Sequence, residues 1–187
     1  MATVDELIQD ARRRMDRSVE ATHTEFNSVR TGRASPALLD RVHVEYYGTP
    51  TPLKQLATIS APEPRLLSIQ PFDPSSVKAI EKALLESDLG LTPSNDGKLI
   101  RLPIPQLTEE RRRELVKVVR HMAEEGRVAV RNVRRDTIQH LKQLVDDGDI
   151  GADEEHRAEE LAQKVTDEHV AKIDDLLKHK EAEIMEV

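Results

Sequence analysis

Apolar residues recur along this chain in two different rhythms. From Thr3 to Val29 the positions Val4, Ile8, Ala11, Met15, Val19, Thr22, Phe26 and Val29 follow one another every three or four residues, the spacing of one face of an α-helix. Thr3 and Glu6 stand at capping-box separation, which predicts the start of that helix. A longer stretch, Thr108 to Asp146, keeps the same rhythm through Leu115, Val119, Met122, Gly126, Val130, Val133, Thr137, Leu141 and Leu144. Asp146-Asp147-Gly148-Asp149-Ile150-Gly151 then reads as a turn, and a third helix is expected from about Asp153. Leu161, Val165, Ile173, Leu176, Leu177 and Ile184 draw its apolar face, which His169 interrupts. Three such stripes bury themselves against one another, so they predict an antiparallel three-helix bundle. It is elongated, because at about 1.5 Å per residue its longest helix spans roughly 58 Å.

The second rhythm lies between the first two helices. Val42, Val44 and Tyr46 alternate with polar residues, as in a half-buried strand. Gly48-Thr49-Pro50-Thr51-Pro52 is expected to turn the chain, and Leu53 to Ile59, Leu66 to Gln70 and Lys98 to Leu102 are further short strands, the last after the turn signal Asn95-Asp96-Gly97. One helix is signposted among them by Asp73 as N-cap, Pro74 at its first position and Gly90 after its end. All ten prolines fall between Pro36 and Pro105, and none lies in the flanks. Proline breaks regular helix, so the middle is a separate structure. The expected class is α+β: a three-helix bundle from residues 1–30 and 106–187, with a small β/α/β domain inserted at residues 31–105. The chain leaves and rejoins the bundle near Arg30, Thr31 and Gly32 and near Pro105 and Gln106, a two-strand hinge for which Gly32 suits a bend.

Charge adds a second face to the long helix. At about 100° per residue, Arg113, Arg120, Arg127, Arg131, Arg134 and Arg135 fall on an arc centred roughly 135° from the apolar stripe. From Gly126 to Arg135 there are four arginines and no acid, so nothing within the run neutralises them along the helix. Arg111 to Arg135 holds nine basic and three acidic residues, a local +6, within a chain whose net charge is −7. An acidic protein with one basic face is addressed to an anionic partner. The competing reading is that the arginines meet acids on a neighbouring helix of the same bundle. Arg131 and Arg135 point away from any such neighbour, whereas Arg134 lies nearer the bundle. Arg12, Arg13 and Arg14 of the first helix are flanked by Asp10 and Asp16 and read as a solvated, locally neutralised face.

Other chemistry is largely excluded. There is no G-x-x-x-x-G-K-[ST] phosphate loop and no H-E-x-x-H, and the chain has no cysteine to serve as nucleophile, disulfide partner or soft ligand. The seven histidines are scattered. Neighbouring acids such as Glu154-Glu155 and Asp174-Asp175 point apart on a helix. No catalytic residue, metal site or cofactor is therefore expected. Met1 to Asp10 lacks the apolar segment of a signal peptide, and no window is apolar enough to span a bilayer, so a soluble cytoplasmic monomer is expected.

Five segments, in order, resemble ribosome recycling factors: Arg30-Thr31-Gly32-Arg33-Ala34-Ser35-Pro36; Val44-Glu45-Tyr46-Tyr47-Gly48-Thr49-Pro50-Thr51-Pro52; Ser87-Asp88-Leu89-Gly90-Leu91; Leu107-Thr108-Glu109-Glu110-Arg111-Arg112; and Val128-Ala129-Val130-Arg131-Asn132-Val133-Arg134-Arg135. The resemblance covers essentially the whole chain. It implies an L-shaped arrangement of bundle and insert, binding to the post-termination ribosome at the interface side of the large subunit, and separation of the subunits together with elongation factor G and GTP. It also implies that Arg127, Arg131, Arg134 and Arg135 contact ribosomal RNA. Arg30 either touches RNA or bonds across the junction, and Arg30, Thr31, Gly32, Pro105 and Gln106 match the family's hinge. Of the two tyrosines, Tyr47 is left as the one able to stack on a base, since alternation places Tyr46 under the insert. The runner-up is a bundle-type adaptor whose arginines merely neutralise its own third helix.

Overall fold

A computed structural model describes residues 3–186; Met1, Ala2 and Val187, which the sequence reading placed in the bundle, lie outside the described residues. The chain divides into two compact units, one formed by the chain up to Arg30 with Glu109–Glu186, the other by Thr31–Thr108.

The first unit contains three helices, α1 (Val4–Ser28), α3 (Glu109–Asp146) and α4 (Ala152–Met185). The capping box closes α1: the Thr3 hydroxyl accepts the Glu6 N–H at 3.2 Å, and the Glu6 carboxylate accepts the Thr3 N–H at 2.8 Å. Ile8, Ala11, Met15, Thr22 and Phe26 are buried on α1, facing Leu115, Val119, Ala123, Gly126, Val130, Val133, Thr137 and Leu141 on α3. Cross-helix side-chain contacts fix the directions. Arg120, Arg127 and Arg134 of α3 meet Glu181, Asp174 and Gln163 of α4 in descending order, so these two helices are antiparallel. Arg14 beside Asp136 and Thr22 against Gly126 make α1 antiparallel to α3 as well.

The stripe on α4 differs from expectation. Leu161 is exposed, and Ala158, Ala162, Val165, Thr166, His169, Ile173, Lys180 and Ile184 form the buried face. Alanine at these positions lets helices approach, and His169 belongs to the stripe instead of breaking it. Its Nδ1 lies 2.7 Å from the Val165 carbonyl and its Nε2 2.6 Å from Asp16 Oδ1 of α1, so the ring's polar atoms are satisfied inside the bundle. Arg12 and Arg14 likewise depart from the locally neutralised face, because they reach Glu168 and Asp136 on other helices. Among the described residues only Arg13 of the three keeps a local partner, Asp10 at 3.6 Å.

The second unit carries strands β1 (His43–Tyr46) and β2 (Thr49–Pro52) as one hairpin, and β3 (Ala57–Glu63), β4 (Leu66–Pro71), β5 (Ser94–Asn95) and β6 (Ile100–Pro103) as an antiparallel sheet ordered β3-β4-β6-β5. Leu67 faces Leu102 and Ile69 faces Ile100 across β4 and β6, and all four are fully buried with Ile80 and Leu84 of helix α2 (Val77–Glu86). Thr49-Pro50-Thr51-Pro52 is thus a strand and not a turn; Tyr47 and Gly48 make the turn, both at positive φ. Leu53–Gln55 is a single 3-10 turn before β3, and Asp73 caps a 3-10 turn, Pro74–Ser76, that leads into α2.

Candidate nucleic-acid interface

The α3 backbone distributes its arginines over two environments. On the edge turned toward α4, Arg120 Nε donates to Glu181 at 2.6 Å, and Arg127 donates to Asp174 at 2.7 Å and to Glu124 at 3.1 Å. The Arg127 side chain is only 19% exposed. Burial works against its charge, but the bonds to Asp174 and Glu124 outweigh it and hold the guanidinium above its ordinary pKa. Arg127 is therefore a strut between helices. The run from Gly126 to Arg135 holds no acid of its own, but Glu124, one turn before Arg127, meets both Arg127 and, at 3.3 Å, Arg131.

The outward edge is different. Arg131 is 44% exposed, and its single contact with Glu124 is long. Arg135 is exposed, with no ion pair among the described residues. Arg134 is half-buried and donates to the Gln163 side-chain oxygen at 2.8 Å, a neutral acceptor that leaves its charge uncompensated. Gln163 is itself held by Asp167 at 2.8 Å, which orients its oxygen toward Arg134. Arg131 and Arg135 thus keep positive charge on the solvent side of the helix and Arg134 keeps it on the edge beside α4, each with donors suited to binding anionic oxygens in pairs.

Arg30 is exposed just beyond the C-terminal end of α1, whereas the arginine group lies level with the middle of that helix, between Arg14 beside Asp136 and Thr22 against Gly126. Gly126 packs on Thr22 and α1 runs on to Ser28, so Arg30 lies further along the axis, away from Arg131 to Arg135. Gly32 has φ +75, and a Cβ there would stand 3.1 Å from Leu107 Cγ. The backbone at this position accordingly requires glycine. Thr31, Gly32, Pro105 and Gln106 all belong to the Thr31–Thr108 unit, and Arg30 to the helical one.

In the second unit, Tyr47 is 84% exposed, while Tyr46 is half-buried and donates its hydroxyl to Asp73 Oδ2 at 3.0 Å. That bond raises the Tyr46 pKa. The Asp73 carboxylate, bonded first to the Ser75 hydroxyl and N–H and then to Tyr46, is held below its ordinary value. Among the described residues no group of three or more His, Cys, Asp or Glu is placed to hold a metal ion, and no helix is long and apolar enough to cross a membrane.

A three-helix bundle carrying an inserted sheet unit, with an outward cationic edge on its longest helix, defines a helical binding protein with a candidate nucleic-acid face. The chain matches the family model described as ribosome recycling factor over residues 22–185. It is 59% identical over 180 residues to the ribosome-recycling factor of Rubrobacter xylanophilus, covering 96% of this chain and 97% of that one, and 56% identical to that of Geobacillus sp. strain WCH70, covering 98% and 100%. The chain belongs to the ribosome recycling factor family. Its fold is similar to a solution structure of the ribosome recycling factor, with TM-score 0.74, 44% identity and 98% coverage of both chains. It is also similar, with TM-score 0.64, 50% identity and coverage of 98% and 100%, to the T. thermophilus ribosome recycling factor in models that place it and E. coli elongation factor G on the E. coli post-termination complex.

Proposed function

We propose that this protein binds the post-termination ribosome through the backbone of large-subunit ribosomal RNA and, with elongation factor G and GTP, promotes separation of the subunits and release from mRNA. The observation that carries this reading is the stretch of α3 from Arg131 to Arg135, where the outward Arg131 and Arg135, and Arg134 on the edge beside α4, keep positive charge that the bundle does not cancel. Phosphate contacts of this kind position a protein on folded RNA without reading its sequence. Membership of the family and similarity to a factor placed on the post-termination complex support the same assignment.

In this reading the protein is a monomeric binding factor of the cytoplasm, not an enzyme, and any nucleotide hydrolysis belongs to elongation factor G. Arg131, Arg134 and Arg135 contact RNA. Arg127 serves chiefly to hold α3 against α4, which is where the alternative of self-neutralisation applies. Arg30 is a further contact just beyond the C-terminal end of α1, and Arg30, Thr31, Gly32, Pro105 and Gln106 form a hinge. Co-sedimentation with ribosomes, with and without elongation factor G and GTP, tests the proposal. Binding that does not lead to subunit separation under any of these conditions would contradict it.

A further inference from the structure

We propose that the anion-binding track on α3 continues past the arginine group to Lys142, whose ammonium makes a further contact with the RNA backbone. The inference rests on the reading of α3 as an RNA-facing helix and extends it by two turns. Arg131, Arg135 and Lys142 are separated by four and seven residues, so at about 100° per residue they lie within roughly 40° of one line along the helix. Over that line they span about 16 Å. All three side chains are exposed; between Arg135 and Lys142 the half-buried Ile138 lies nearest their line, flanked by the exposed, polar Gln139.

Charge on the track is not cancelled downstream as it is upstream. Glu124 shares the line and engages Arg131 and Arg127 from its N-terminal side. From Gly126 to Val145 the single acid is Asp136, and it is turned to α1, where Arg14 donates to it at 2.7 Å. Asp146 stands one turn beyond Lys142, but among the described residues no ion pair joins them. The positive potential of α3 therefore lies between Arg131 and Lys142, centred further along the helix than the arginine motif alone indicates. A lysine serves here as a point charge near phosphate, where arginine supplies the paired geometry.

The test uses the full chain and intact ribosomes. Lys142→Gln is expected to weaken binding about fivefold and to lower the slope of log affinity against log salt by about one, the signature of one lost phosphate contact. Lys142→Glu should weaken it further, with the thermal midpoint unchanged in both. Lys178→Gln, an exposed lysine on α4, should bind like the parent. If Lys142→Glu binds like the parent while Arg135→Glu is impaired, the track ends at the arginines and the inference is overturned. If Arg131→Glu and Arg135→Glu are also unimpaired, the RNA-facing reading of α3 falls and takes this inference with it. A drop in thermal midpoint with unchanged affinity would also overturn it, by assigning Lys142 to the stability of the helix end.

Discussion

Gly126 lies in mid-helix, where glycine costs about 1 kcal/mol relative to alanine. Its presence is explained by Thr22, whose Oγ1 would collide with a Cβ at that position, and by Ile173 Cδ1 at 3.2 Å. The three helices of the bundle meet there without room for a methyl group. Gly126→Ala should therefore destabilise the bundle by about 1–2 kcal/mol in chemical denaturation, the overpacking cost exceeding the gain in propensity. In a Thr22→Ala background most of that loss should disappear, because the colliding oxygen is gone; an unchanged penalty would place the strain elsewhere. Tyr47 poses the opposite case. It occupies the first turn position of a two-residue hairpin at φ +49, where asparagine or glycine is the ordinary choice. Tyr47→Asn should stabilise the second unit by about 0.5 kcal/mol, read from denaturation followed at Tyr46 fluorescence. A loss of stability would mean that the contact between the two tyrosine rings, 4.5 Å apart, outweighs the backbone strain.

At the scale of the element, α3 shows why burial and charge must be separated. Arg127→Glu places a carboxylate beside Asp174 and Glu124 in a site where the side chain is 19% exposed, and should lower stability by about 2 kcal/mol. Arg135→Glu, exposed and without an ion pair among the described residues, should change it by less than about 0.5 kcal/mol. The helical periods of α1 and α3 were legible because large apolar residues recur on their buried faces, Ile8, Met15 and Phe26 on α1 and Leu115, Val119, Val130, Val133 and Leu141 on α3. On α4 they were obscured, since Ala158 and Ala162 look unremarkable while the exposed Leu161 looks like core. Which arginine faces an acid was not legible at all, because it depends on the antiparallel register of α3 and α4, a property of two elements together. The prolines of Thr49–Pro52 misled for a related reason: a two-stranded edge ribbon has no second neighbour to demand their missing N–H groups. At the start of the helical segment around α2, the Asp73 carboxylate has a folded-state pKa depressed by Ser75 and then Tyr46. Its contribution is present above the unfolded-state value and lost as pH falls through the folded one, so it disappears below about pH 4. Asp73→Asn should flatten the acid side of the second unit's stability profile; an unaltered profile would show that these bonds carry no pH-dependent stability.

For the whole molecule, the two units carry separate cores, one aliphatic and helical, the other built on Leu67, Ile69, Ile100 and Leu102. Joining Val29 to Thr108 through a flexible linker should accordingly give a helical protein that melts cooperatively, binds ribosomes and fails to separate subunits. A product without helical circular dichroism would show that the bundle depends on the insert. Gly32→Pro is a poor probe of the proposed hinge, because proline cannot adopt φ +75. The account as a whole depends on the outward edge of α3 meeting RNA phosphates. It is tested most directly by the ribosome affinity of Arg135→Glu beside Arg13→Glu, whose parent arginine is equally a surface cation but has Asp10 as a local partner. Measured between 50 and 200 mM salt, Arg135→Glu is predicted to bind about 30-fold or more weakly, with a shallower salt dependence, while Arg13→Glu stays close to the parent. Parental affinity in Arg135→Glu, or an equal loss in Arg13→Glu, would contradict the account.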